Sequence, residues 1–160
     1  MHTFPPAEEI RELIHLAMRE DLGPRRDDVT SRLLVGEDAI GVGTLLQKSV
    51  GIACGLPIVE HVCRAYDERL RVELIPGFHM ELIEGRFSDA AVTPLLRVRG
   101  PVRSLLSAER IVLNFLQRMS GVATLTNRFV RRVEDKNAVI ADASINDRRV
   151  GRFFREPLFE

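Results

Sequence analysis

A chain of 160 residues that is 45% apolar has the material for one domain with its own core. Its 23 basic residues balance 23 acidic ones, which excludes an overall field drawing it to nucleic acid or to an anionic membrane. No apolar stretch approaches the ~20 residues that span a bilayer, and Met1 to Pro6 lacks the basic start of a signal segment, so the expected compartment is the cytoplasm.

Pro5 and Pro6, followed by Glu8 and Glu9, suit a helix start, because Pro is tolerated in the first turn and acids favour the positive end of the dipole. Ile10, Leu13, Ile14, Ala17 and Met18 then recur at helical spacing until Gly23-Pro24. Arg25 to Ser31 reads as a polar connector in which Asp28 or Thr30 serves as a cap. Gly43 to Lys48 and Gly51 to Ala53 read as short strands. Gly55-Leu56-Pro57 opens a second helix with Val59, Val62, Cys63 and Tyr66 on one side. Leu70, Val72 and Leu74 alternate with Arg71 and Glu73 as a half-buried strand should, up to Pro76-Gly77. Val92 to Arg99 is β-compatible, and Pro94 argues for an edge position. Val102 to Met119 is the longest helical segment; Ser120-Gly121 predicts a break, Val122 to Glu134 a further helix, and Ala138 to Asp142 a buried strand. The class is therefore α+β.

On a helical wheel of about 100° per residue, Arg103, Ser107, Arg110, Asn114, Gln117 and Arg118 form one narrow stripe. Leu105, Leu106, Ala108, Ile111, Val112, Leu113, Phe115, Leu116 and Met119 fill nearly all the rest, which predicts a buried helix. The stripe faces water, a polar patch on another subunit, or a ligand; two guanidinium groups two turns apart suit a carboxylate or phosphate. Glu109 falls inside the apolar arc, where it needs a partner such as Arg97 or Arg99.

Other residues carry less. His15, His61 and His79 stand singly, without the clustering of a metal site, and phosphate-binding glycine loops are absent. Cys54 and Cys63 read as small buried hydrophobes. The acidic neighbours Glu20-Asp21 and Asp27-Asp28 read as a solvated face or as caps rather than as an acid–base pair. Arg128, Arg131 and Arg132 share a helical side without interleaved aromatics, a weak signal for nucleic acid.

Three runs carry a resemblance: AMREDLGPRRDDVTS at 17–31, SVGIACGLP at 49–57, and above all RSLLSAERIVLNFLQRMSGVATLT at 103–126. They resemble, in order, successive motifs of the quinolinate phosphoribosyltransferases. The first run is the loosest, with Arg26-Asp27-Asp28 where the family has a Gly-Asp pair, and the segment around 76–92 departs. The resemblance implies a hammerhead-like N-terminal domain over 1–115, the first elements of an α/β barrel over 116–142, and a divergent tail over 143–160. It also implies a cytoplasmic enzyme of NAD biosynthesis that converts quinolinate and phosphoribosyl pyrophosphate, with magnesium, to nicotinate mononucleotide, pyrophosphate and carbon dioxide. Such enzymes are typically dimers in which the Arg of the Ala-Glu-Arg motif, here Arg110, reaches the partner's site and binds a quinolinate carboxylate. Arg103 and Asn114, beside it on the stripe, are further candidates for substrate binding.

The family's Asp-Thr-Arg-Lys-Thr motif is replaced by Asp142-Ala143-Ser144-Ile145-Asn146, so two substrate-binding charges are lost, and a full barrel of this class takes ~250 residues. The expectation is therefore a truncated or frame-shifted product, inactive alone, with no catalytic residue assignable and no magnesium ligand of its own. The alternative is a non-catalytic binding or assembly module that pairs with itself or with a full-length subunit. A relative acting on another pyridine or pyrimidine base is also compatible with the sequence.

Overall fold

In the computed structural model the described residues are 7–23, 28–75, 85, 87–89 and 92–133. Four helices and five strands follow in the order α1 (Ala7–Leu22), α2 (Val29–Leu34), β1 (Ile40–Gln47), β2 (Gly51–Ile52), α3 (Leu56–Tyr66), β3 (Arg71–Leu74), β4 (Phe87–Ser88), β5 (Thr93–Pro101) and α4 (Val102–Val133). The strands form two antiparallel sheets, one of order β1-β5-β3 and a small one pairing β2 with β4, and the α+β class holds.

The core forms where three helical stripes meet one face of the larger sheet. From α1 come Ile10, Ile14 and Met18, spaced by four so that they stack on one side; α3 adds Leu56, Val59, Val62 and Cys63. From α4 come Ala108, Ile111, Val112, Leu116, Met119 and Ala123, and from β5 Leu95 and Leu96. Full burial of an aliphatic side chain contributes about 1.5–3 kcal/mol, and Val59, Val62 and Leu96 are wholly inaccessible.

Two glycines let the layers approach. A Cβ on Gly43 of β1 would stand 3.0 Å from Leu105 Cδ2, so the strand lies almost directly on α4. Gly55, with φ 92°, forms the left-handed N-cap of α3, and a Cβ there would collide with the Met119 methyl.

Four sequence expectations are corrected. The stretch 25–31 is not all connector: α2 begins at Val29, with Asp28 as the expected N-cap, its Oδ1 accepting from Ser31 N at 3.1 Å. β5, which contains Pro94, is the central strand of the larger sheet rather than an edge. Proline is tolerated there because β3 pairs only with Leu96 to Arg99, so Pro94 faces one neighbour, opposite Leu46, beside the register shift between Leu45 and Leu46.

The break expected at Ser120-Gly121 does not exist, since α4 runs unbroken for 32 residues. Ser120 Oγ accepts from Cys54 N at 3.0 Å and Thr124 Oγ1 from Ile52 N at 2.9 Å, so one more turn of helix supplies the backbone of the β2 segment with partners. Glu109, finally, is exposed rather than buried. Among the described residues the sheet and the other helices pack on one side of α4, and Leu106 on the other side is 41% exposed.

α4 passes without interruption through position 115, where one domain was expected to hand over to the next. The helix start at Pro5-Pro6, the Pro76-Gly77 stop, His79, the strand expected over 138–142 and the tail at 143–160 lie outside the described residues.

Candidate functional site

The polar stripe of α4 meets the ends of the three other helices. At its first turn, Arg103 donates through Nε to Val35 O at 2.9 Å and through Nη2 to Arg32 O at 3.3 Å, which caps the carbonyl end of α2. Ser104 Oγ donates to Asp67 Oδ2 at 2.6 Å, where Asp67 ends α3. Ser107 Oγ donates to Asp28 Oδ2 at 3.1 Å, and Ser31 Oγ donates to the same oxygen at 2.7 Å. The six-residue α2 is thus clipped to α4 at both ends, while its Leu33 and Leu34 point outward at 75% and 80% exposure.

One turn further on, Arg110 Nη1 donates to Asp21 Oδ1 at 2.7 Å. Asp21 lies in the last turn of α1, so this pair joins the first and the last helix. Tyr66 closes α3 within electrostatic reach of the pair; its hydroxyl oxygen is buried and has no hydrogen-bond partner among the described residues. Burial pushes the Tyr66 hydroxyl up to about 12, Asp21 and Asp28 push the same way, and Arg110 opposes them. The hydrogen bonds from Ser31, outweighing the effect of burial, hold Asp28 below its usual carboxylate value. Asp67 is held well below that value, first by Arg69 and then, against burial, by Ser104.

Of the three residues expected to bind substrate, Arg110 pairs with Asp21 near Tyr66 while its side chain stays 70% exposed. Arg103 is engaged in capping α2, and Asn114 is exposed on the next turn of the stripe. Asp21 and Tyr66 were not singled out by the sequence as members of this site, since residues 21, 66 and 110 share no periodicity. The serines did carry a signal, because Ser107 lies within the stripe.

Elsewhere the candidates stay quiet. Cys54 and Cys63 are buried free thiols, and burial followed by the nearby Glu60 pushes Cys63 up to about 11. His15 is partly buried, with Nδ1 lacking a partner among the described residues. Arg131 stacks over the Phe87 ring at 4.7 Å, tying the end of α4 to β4. Among the described residues no group of three or more His, Cys, Asp or Glu could hold a metal ion, and no helix is long and apolar enough to cross a membrane.

Comparison with known proteins gives a consistent picture. Residues 28–120 match the family model described as quinolinate phosphoribosyl transferase, N-terminal domain. The chain is 32% identical over 121 residues to a chloroplastic nicotinate-nucleotide pyrophosphorylase [carboxylating] of Oryza sativa subsp. japonica, covering 76% of this chain and 30% of the relative. It is 31% identical over 134 residues to a probable nicotinate-nucleotide pyrophosphorylase [carboxylating] of Bacillus subtilis, covering 84% and 43%. Among solved structures, NadC from Streptococcus pyogenes superposes with a TM-score of 0.73 at 27% identity, covering 84% of this chain and 45% of that one. The chain thus spans less than half the length of these relatives.

Proposed function

The chain belongs to the quinolinate phosphoribosyltransferase family, matching its N-terminal domain, and from that premise we propose that it presents Arg110 to a carboxylate of quinolinate. The reaction so served joins quinolinate to the ribosyl carbon of phosphoribosyl pyrophosphate, with loss of pyrophosphate and carbon dioxide, giving nicotinate mononucleotide. The observation that carries the reading is Arg110 itself. It sits at the centre of the longest family-like run, and its side chain is 70% exposed although it projects from a helix with buried neighbours at Ala108, Ile111 and Val112.

A guanidinium in that position offers two parallel N–H groups to a planar carboxylate. A fixed positive charge there orients the dicarboxylate and offsets charge that shifts as the ring loses carbon dioxide. Arg103 serves indirectly, by holding α2 against α4 at the edge of the stripe. Magnesium, which in the family accompanies phosphoribosyl pyrophosphate, meets no group of three or more His, Cys, Asp or Glu among the described residues.

The test is quinolinate titration of the isotopically labelled 160-residue chain, followed by NMR, for wild type and Arg110→Ala. Saturable shifts centred on α4 that vanish in Arg110→Ala are expected; shifts that persist unchanged would remove Arg110 from the site. Turnover of quinolinate by the chain alone is expected to be absent, and its detection would show that the catalytic groups lie within these residues after all.

A second reading, an assembly module that pairs with itself, is favoured by Leu125 and Phe129, which are 44% and 50% exposed one turn apart on α4. A homodimer equally suits the first reading, in which Arg110 reaches the partner's site. Sedimentation equilibrium tests it: a dimer is expected, weakened by Phe129→Glu, and a strict monomer at high concentration would contradict it.

A further inference from the structure

The Asp21–Arg110 pair is lopsided. The Asp21 side chain is only 15% exposed and the Arg110 side chain 70%. The carboxylate belongs to the last turn of α1, where the carbonyl ends of the helix already concentrate negative potential, and Asp28 and the buried Tyr66 hydroxyl lie close by. Asp21 therefore depends on a cation at this place. The guanidinium depends on Asp21 much less, because most of it is in water and its described contact is a single bond, Nη1 to Oδ1.

We propose that Asp21 is the resting partner of Arg110 and a competitor of the substrate: it holds the guanidinium at the α1–α4 junction until a substrate carboxylate takes the guanidinium from it. The inference rests on Arg110 being the quinolinate ligand. A substrate carboxylate wins the exchange by accepting two parallel bonds from the guanidinium fork where Asp21 accepts one. In the free protein Asp21 occupies the guanidinium through one bond, and the hold is weak enough to break. A solvent-facing ion pair of this kind lowers apparent substrate affinity by about two- to fivefold, since the bound form competes with the held one. Tyr66 reports the exchange, because its hydroxyl feels both charges and it is the chain's single tyrosine, with no tryptophan present.

The experiment uses the 160-residue chain with ring-13C-labelled tyrosine and 15N-labelled arginine, titrated with quinolinate. In wild type the Tyr66 ring signal and the Arg110 Nε signal are expected to move with one midpoint. Asp21→Asn should bind quinolinate about two- to fivefold more tightly, and Asp21→Glu should restore wild-type affinity. If Arg110→Ala abolishes binding while Asp21→Asn binds no more tightly than wild type, Asp21 does not compete and the proposal is wrong, with Arg110 still the ligand. If quinolinate binding is absent, or is indifferent to Arg110→Ala, the reading of Arg110 fails and the role of Asp21 fails with it.

Discussion

Tyr66 gives the sharpest quantitative check on the packing around the Arg110 cluster. Its hydroxyl is buried without a hydrogen-bond partner among the described residues, and its ionisation is displaced from the usual 10 to about 12, chiefly by burial. Between those values the unfolded chain has released the phenolic proton and the folded chain still holds it. The share of folding stability governed by Tyr66 is therefore complete below pH 10 and is lost as the pH rises toward 12. At 1.36 kcal/mol per tenfold change, the upper bound on that loss is about 2.7 kcal/mol; because the ring is only half buried, screening reduces it to about 1 kcal/mol.

With one tyrosine and no tryptophan in the chain, the absorbance rise that accompanies phenol ionisation belongs to Tyr66 alone. Parallel urea melts at pH 9.5 and 11.5 read the stability change. Tyr66→Phe should remove the Tyr66 share of the alkaline loss and, by deleting an unpaired buried hydroxyl, stabilise the protein at neutral pH by about 1 kcal/mol. Cys63, which also ionises late, keeps its share in both proteins, so the difference between them isolates Tyr66. A phenol that titrates near 10 while the protein stays folded would refute the burial argument. So would a Tyr66→Phe variant that is markedly less stable at pH 7.

Three further outcomes follow from the same geometry. Gly121→Ala should raise stability by about 0.5–1 kcal/mol in denaturant melts, because Gly121 lies exposed inside a continuous helix with nothing within 4 Å of an added Cβ; a loss would restore the break at that point. Gly55→Ala should cost more than about 1 kcal/mol by the same measurement, since the backbone is left-handed there and the new methyl displaces Met119. Asp28→Ala should cost about 1 kcal/mol at pH 7 through the lost cap of α2. Because Asp28 ionises below its usual 3.8, the stability it supplies is present above that pH and is lost as acid is added, so the variant's acid-unfolding curve should be the flatter one.

The sequence by itself determined the core-facing sides of α1 and α3 and the family. Ile10, Ile14 and Met18 face the core at the spacing that marked them, as do Val59, Val62 and Cys63, because helical period and burial are both written locally. Asp28 was legible as a cap because capping needs no more than a side chain three residues from the N–H it serves.

What only the tertiary structure decided depends on which surfaces meet. Pro94 sits in a central strand because β3 stops short of it, and Ser120-Gly121 continues a helix because the distant backbone of Ile52 and Cys54 takes the next two hydroxyls. Glu109 lies in water because one side of α4 is left bare among the described residues, and a wheel drawn for α4 alone treats every side as covered. Most consequential is the pairing of Asp21 with Arg110 across 89 positions, since a long-range ion pair leaves no periodic trace in a single chain and exists only once α1 and α4 are packed.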